Sequence, residues 1–428
     1  MVESEQGQTR PLGFWSLLAL GLNGIIGVGI FFTPNQVAAL VPGAAGSAMY
    51  ALTALALTPV ACVYATLGSR FDEDGGPYVW ARAAFGPRLG FAVGWIAYVS
   101  ALFSSSTIVV GLVENAGPSV GLSGAFGMRL GGVGVVALLA ATAATGLRPS
   151  AVTWSALTVL KLVPLALLAG AFVASAVPPP EVVPSPIASA HVGRAALVIV
   201  FALQGFEIVP VPAGHARASA RAVPAATLLC LAGAAVLYVL LHAACVRGVP
   251  SLASSRAPLV AAGAAYGGRW LAGLLAAGTN LSAIGIAFGM FAMTPRYLAT
   301  LGRHDALGES LAREDARRVP RAALALTSLA IAGLVSAGEL GELFVLSSVA
   351  VLAQYGVSAA ALAVLAARRR RGLRRRHIWP APLALAAVVL VGAAAQPKEL
   401  RVAAGALAVG GVLLVARRWY VARRVERS

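Results

Sequence analysis

Two charged side chains stand in stretches too apolar for surface residues. Lys161 lies in SALTVLKLVPLALLAG and Glu207 in ALVIVFALQGFEIVPVPAGH. A charge at membrane depth is expensive, so each must face the protein interior or a water-filled cavity. Lys161 stands roughly ten positions beyond Ser150, too deep for its ammonium to reach the end of the span. It is therefore directed inward or neutralised. Glu207 follows Gly205 by two residues and precedes Pro210 and Pro212, where a helix break is expected. The chemistry open to these groups is proton exchange, charge compensation, or support of unwound backbone.

The backbone itself is the third chemical element. Gly21 to Pro34 reads GLNGIIGVGIFFTP, with four glycines in nine residues and a closing proline. That is poor material for a continuous helix, yet the run from Phe14 to Val41 is apolar. A broken helix at membrane depth is tolerated where it faces a cavity, and in transporters that cavity is commonly the binding site. An interruption around Gly27-Val28-Gly29 is the expectation, with close helix packing through small residues as the alternative.

The elements that carry these groups are membrane spans. Of 428 residues, 59% are hydrophobic and 11% charged, against about 25% charged in a soluble domain. Apolar segments fall at 12–41, 44–67, 88–114, 127–147, 151–177, 192–212, 222–246, 267–300, 320–337, 341–367, 380–396 and 399–421. Twelve spans are counted, the ninth and eleventh the shortest. The predicted fold class is an all-α membrane protein. The polar start, MVESEQGQTR, is no cleaved signal, so the first span doubles as targeting segment. Cys62, Cys230 and Cys245 lack metal-ligand spacing and read as small apolar fillers.

The net charge of +17 does not indicate nucleic-acid binding, because the arginines cluster in short connections. Of the 33 lysines and arginines, one face receives Arg129, Arg194, Arg247, Arg256, Arg269, Lys398 and Arg401, and Lys161 lies within the membrane. The rest fall on the other face, headed by RRRRGLRRR at 368–376 and by Arg313, Arg317, Arg318 and Arg321. The positive-inside rule makes that face cytoplasmic, both termini included. The arginine run reads first as a topological anchor, and second as a lipid-headgroup contact.

Interrupted first and sixth spans in corresponding positions indicate an inverted-repeat transporter. The expected organisation is a cytoplasmic N-terminal tail (1–11), a first five-helix repeat (12–177) and an extracellular connection (178–191). A second repeat (192–367), a basic cytoplasmic connection (368–379), peripheral helices 11 and 12 (380–421) and a cytoplasmic tail (422–428) follow. Gly75-Gly76-Pro77 is a turn signal before a short interfacial helix at 78–85.

These motifs resemble the amino acid–polyamine–organocation (APC) family of permeases. Gly24-Ile25-Ile26-Gly27-Val28-Gly29-Ile30-Phe31 is similar to its first-helix signature. Gly75-Gly76-Pro77-Tyr78 with Phe85-Gly86 resembles its second-to-third connection, and Phe201 to Glu207 its sixth helix. Pro295-Arg296-Tyr297, Gly302, Arg303 and Val319-Pro320 are similar to the family's end of helix eight. The resemblance covers about 12–370 and implies the LeuT-like fold, two inverted five-helix repeats plus two peripheral helices.

The resemblance implies a substrate site between helices one and six. The substrate α-carboxylate would meet backbone amides near Ile26, Gly27, Val28 and Gly29, and its amine the carbonyls of both breaks, including that at Gly205. Phe201 stands where the family places an aromatic over bound substrate. Val28 replaces a serine of several members, and Ala213-Gly214-His215-Ala216-Arg217 departs from an acidic stretch common there. Lys161 falls where a fifth-helix lysine occupies the place of a bound sodium ion, which implies sodium-independent transport. Ser282 is the expected neighbour of its ammonium. Glu207 supports the unwound region or titrates during transport. Trp95, Tyr98 and Ser104 of the third span are candidates to line the pocket, Ser104 sharing a helix face with Ser100 and Thr107.

The reading is therefore sodium-independent, proton-coupled carriage of amino acids, neutral ones favoured, across the cytoplasmic membrane. The alternative is an obligate amino acid or amine exchanger, with cationic amino acids or polyamines among its substrates. His191, His215, His242, His304 and His377 form no metal cluster, and no phosphate-binding loop, nucleophile elbow or HExxH motif occurs. No enzymatic activity, cofactor, metal, nucleic acid or obligate protein partner is expected; the partners are substrate, proton and lipid bilayer.

Overall fold

The computed structural model describes residues 13–27, 29–71, 73, 75–146, 151–175, 188–212, 219–303 and 307–425. Every regular element among them is helical. The first apolar segment forms three pieces, α1 (Phe14–Ile25), α2 (Gly29–Phe32) and α3 (Pro34–Leu40). Ile26 leaves helical geometry at ψ 72°. Thr33 bends the chain before Pro34 restarts it, since proline at a first helical position forfeits no hydrogen bond.

Next come α4 (Ala44–Gly68), the short α5 (Pro77–Phe85), α6 (Pro87–Ala116), α7 (Gly124–Ala144) and α8 (Ala151–Ala174). The short helix expected after Gly76 is α5. The sixth apolar segment forms α9 (Ser189–Leu203) and then a single 3-10 turn, Phe206–Ile208, so it too is interrupted. There follow α10 (Ser219–Gly248), α11 (Pro258–Arg303), α12 (Glu309–Ala312), α13 (Arg321–Ala337), α14 (Leu340–Ala367), α15 (Pro380–Gly392) and α16 (Pro397–Val425). The 46 residues of α11 are two helices joined at a kink, Gly268 taking φ 62° and ψ −157°. The segment expected from 267 therefore starts with an additional helical stretch from Pro258.

Among the described residues, eight helices are long and apolar enough to cross a membrane, and Val159–Ala174, Ser189–Leu203 and Arg321–Ala337 are shorter apolar helices. The 13 residues of α15 reach about 20 Å at about 1.5 Å per residue, short of the roughly 30 Å hydrocarbon core. The most enclosed of the eight is α6, while α7 and α16 lie at the periphery. The connection at 178–191 lies outside the described residues as far as 187.

The basic connection after α14 is anchored to protein. Arg368 donates to the Ala84 carbonyl at 3.2 Å, in the last turn of α5. Arg371 bonds to Glu73 at 2.8 Å and lies over the Phe71 ring, 4.9 Å from its centroid.

Candidate functional site

A helix that stops inside a protein leaves carbonyls without intrahelical partners. At the end of α1 three carbonyls are met separately. The Leu22 carbonyl accepts the Ile26 N–H at 2.8 Å. The Ile25 carbonyl accepts the Gly27 N–H at 2.7 Å and the Tyr238 hydroxyl, from α10, at 2.8 Å. The Asn23 carbonyl accepts the Lys161 ammonium at 3.0 Å. Lys161 is 3% exposed. The carboxyl end of a helix carries partial negative charge, so a cation there is electrostatically matched.

Ser282 shares the α8-facing side of α11 with Gly278, where an added Cβ would lie 3.1 Å from the Pro164 ring. Its hydroxyl is nevertheless buried with no hydrogen-bond partner among the described residues. The structure thus joins Lys161 to the first break, not to Ser282.

The second break begins at Gln204, whose backbone is extended at ψ 152°. Gly205 follows with φ 125°, a region that side chains rarely adopt. A Cβ there would also overlap the backbone of Gly24 and Ile25. The two breaks thus meet backbone to backbone. Further along α2, a Cβ on Gly29 would fall 2.6 Å from the Ala202 Cα. Ile26, Gly27 and Gly29 are all buried. Val28 lies outside the described residues, as do His215 and the stretch around it.

Glu207 turns back on this break. Its Oε2 accepts the Gly205 N–H at 2.7 Å and the Tyr355 hydroxyl at 3.0 Å. Tyr355 lies against Phe206 and Tyr64, with ring centroids 5.4 and 5.6 Å apart. The carboxylate is built into the wall of the break.

Among the third-span candidates, Ser104 reaches the break and the two aromatics point elsewhere. Ser104 Oγ lies 2.7 Å from Ser347 Oγ, and the Gln204 side-chain amide donates to both at 3.1 and 3.2 Å. Trp95 Nε1 donates to the Ala406 carbonyl of α16 at 2.7 Å. The Tyr98 hydroxyl meets Thr327 of α13 at 3.2 Å. Thr107 donates to the Phe103 carbonyl of its own helix at 2.8 Å, a common destination for helical hydroxyls. Phe201 lies edge-on to Phe344 of α14, centroids 4.6 Å apart.

Five residues at the breaks escape sequence reasoning: Asn23, Gln204, Tyr238, Ser347 and Tyr355. Gln204 carried a legible signal, as an amide in an apolar run beside Gly205. Tyr238 and Tyr355 sit in long apolar helices with nothing local to mark them.

The sequence pattern of the family described as amino acid permease matches residues 12–408. The chain belongs to that family, within the APC permeases. It is 28% identical over 432 residues to an uncharacterized transporter of Mycobacterium tuberculosis, covering 98% of this chain and 93% of that one. It is 26% identical over 390 residues to the branched-chain amino acid permease BcaP of Bacillus subtilis, covering 81% of each. A shorter similarity, 37% over 97 residues, links it to the arginine/ornithine antiporter of Pseudomonas aeruginosa, covering 22% of this chain and 20% of that one. Family and relatives are transporters, and the chain is a multi-pass membrane transporter of amino acids rather than an enzyme.

Proposed function

We propose that this permease carries neutral amino acids into the cell by alternating access, independently of sodium and coupled to a proton. The observation that carries the reading is the Lys161 ammonium on the Asn23 carbonyl at the first break. It places a positive charge on a freed carbonyl of the kind that would otherwise suit a metal cation. Loss and return of the Lys161 proton accompany each cycle, while Glu207 keeps the second break in shape through Gly205 and Tyr355. Substrate lies between the breaks. Backbone groups at Ile26, Gly27, Val28, Gly29 and Gly205 take its charged ends, with Phe201 at the side and Ser104 behind Gln204.

The architecture in this reading is twelve spans as two inverted five-helix repeats, within the domain boundaries given above, plus α15 and α16. The termini and the arginine-rich connections face the cytoplasm, and the bilayer is the cytoplasmic membrane. The apolar Phe201 beside the breaks and the similarity to a branched-chain permease support a neutral side chain. The local similarity to an arginine/ornithine antiporter favours a second reading, obligate exchange of amino acids or amines.

Uptake of radiolabelled amino acids into proteoliposomes, without sodium and with an imposed pH gradient, tests this. Accumulation that requires the inward proton gradient and is abolished in a folded Lys161→Ala protein is the expected result. Sodium-dependent accumulation that survives Lys161→Ala overturns the coupling assignment. Uptake only against preloaded counter-substrate establishes exchange.

A further inference from the structure

A cavity of about 260 Å³ opens beside the first helix, lined by Phe32, Asn35, Gln36, Glu114, Asn115 and Arg256 among others. Leu340, the first residue of α14, also borders it. The arginine run follows the other end of α14, 28 residues on, about 42 Å at about 1.5 Å per residue. The cavity therefore belongs to the face opposite the arginine-rich connections. Phe32 stands three residues past Gly29 and closes α2, so the cavity adjoins the first break.

Its polar groups are of complementary kinds. Glu114 lies in the last turn of α6 and Arg256 precedes α11, and the guanidinium acts on the carboxylate through space. No ion pair within 4.0 Å joins the two, so the opposite charges face the cavity without closing on each other. The Glu339 carboxylate also acts on Glu114, and is itself in the field of Lys398, which pairs with Glu342 at 2.7 Å. Asn115 is held by a 2.8 Å bond to Asn280 of α11, and Gln36 Oε1 lies beside Gly341. Drug-sized ligands take roughly 300–1,000 Å³, so the space suits something smaller.

We propose that this cavity is a second, outer binding site for an amino acid zwitterion, with its carboxylate on Arg256 and its ammonium on Glu114. Asn35, Gln36 and Asn115 complete the polar wall, and Phe32 presents an apolar surface to the side chain. Substrate halts here before reaching the breaks. The inference rests on the amino acid reading above.

The test uses the full-length chain in lipid nanodiscs and equilibrium dialysis with radiolabelled leucine, then with the other common amino acids. Glu114 and Arg256 are exposed, so Glu114→Gln and Arg256→Gln leave the fold intact. The expected result is two sites on the wild type and one on either variant. In proteoliposomes KM should rise about tenfold, the effect of losing one charge-assisted hydrogen bond, with maximal rate little changed. Isoamylamine, which is leucine without its carboxylate, should bind Arg256→Gln as it binds wild type. One site on a wild type that still accumulates leucine overturns the outer site and leaves the transport reading standing. So does unchanged stoichiometry and KM in both variants. A wild type that neither binds nor accumulates any amino acid overturns both readings.

Discussion

The Tyr355 hydroxyl donates to Glu207 Oε2 at 3.0 Å, and the same oxygen accepts the Gly205 amide at 2.7 Å. One carboxylate oxygen thus ties α14 to the break that follows α9. Tyr355→Phe removes one donor and leaves a buried carboxylate less satisfied. Thermal unfolding should show a loss of roughly 1–3 kcal/mol, with weaker uptake. An unchanged Tm would mean that the bond contributes nothing to holding the break.

Gly205→Ala should be far worse. It combines a left-handed backbone that costs roughly 1–3 kcal/mol for a side chain with overlap on Gly24 and Ile25. Aggregation on size exclusion, or a folded protein without uptake, is the expected outcome. Gly170→Ala is the control, because nothing lies within 4 Å of an added Cβ there. A Gly205→Ala protein with wild-type uptake would show that the two breaks do not need their close contact.

Both interruptions were legible because glycine and proline act locally. The same holds for Lys161 and Glu207, each a charge isolated in apolar sequence. What the charges bond to was not legible. Lys161 reaches a carbonyl 138 positions away in Asn23, and nothing about an asparagine backbone advertises that. Trp95 and Tyr98 stand in the sequence only as third-span candidates to line the pocket. That helix is enclosed on nearly every side, so its periodicity names no single functional face, and its aromatics turn to α16 and α13. Ser104 reaches the break through partners on α9 and α14, and only assembly reveals such a meeting.

The Ser104–Ser347–Gln204 cluster should behave as one unit. A double-mutant cycle of Ser104→Ala and Ser347→Ala, read by thermal unfolding, should give a coupling of roughly 0.5–3 kcal/mol, as for residues sharing a network. Simple additivity would show that Gln204 is held by other means.

Asp315, in the connection after α12, supplies the pH prediction. The Val319 amide, with Arg321 and the Arg317 amide, holds its carboxyl below the usual value of 3.8. A depressed folded value means that the ionised form favours the closed connection, fully so above 3.8 and lost as pH falls through the lower folded value. Hydrogen exchange at Val319 should stay slow from neutral pH down to that range and quicken below it. Asp315→Asn should exchange faster already at neutral pH and lose the acid transition. Identical profiles in both proteins would show that Asp315 does not hold the connection closed.

Trp95 donates its indole N–H to Ala406, 311 residues later in the chain, and its ring fills the space that a side chain at Gly410 would need. The ribosome delivers α6 long before α16. Throughout that interval the indole waits in the bilayer without its acceptor, and a prematurely terminated product keeps it waiting permanently. Quality-control proteases would thus meet an incomplete permease with a polar group still unsealed, and it is the arrival of α16 that seals it.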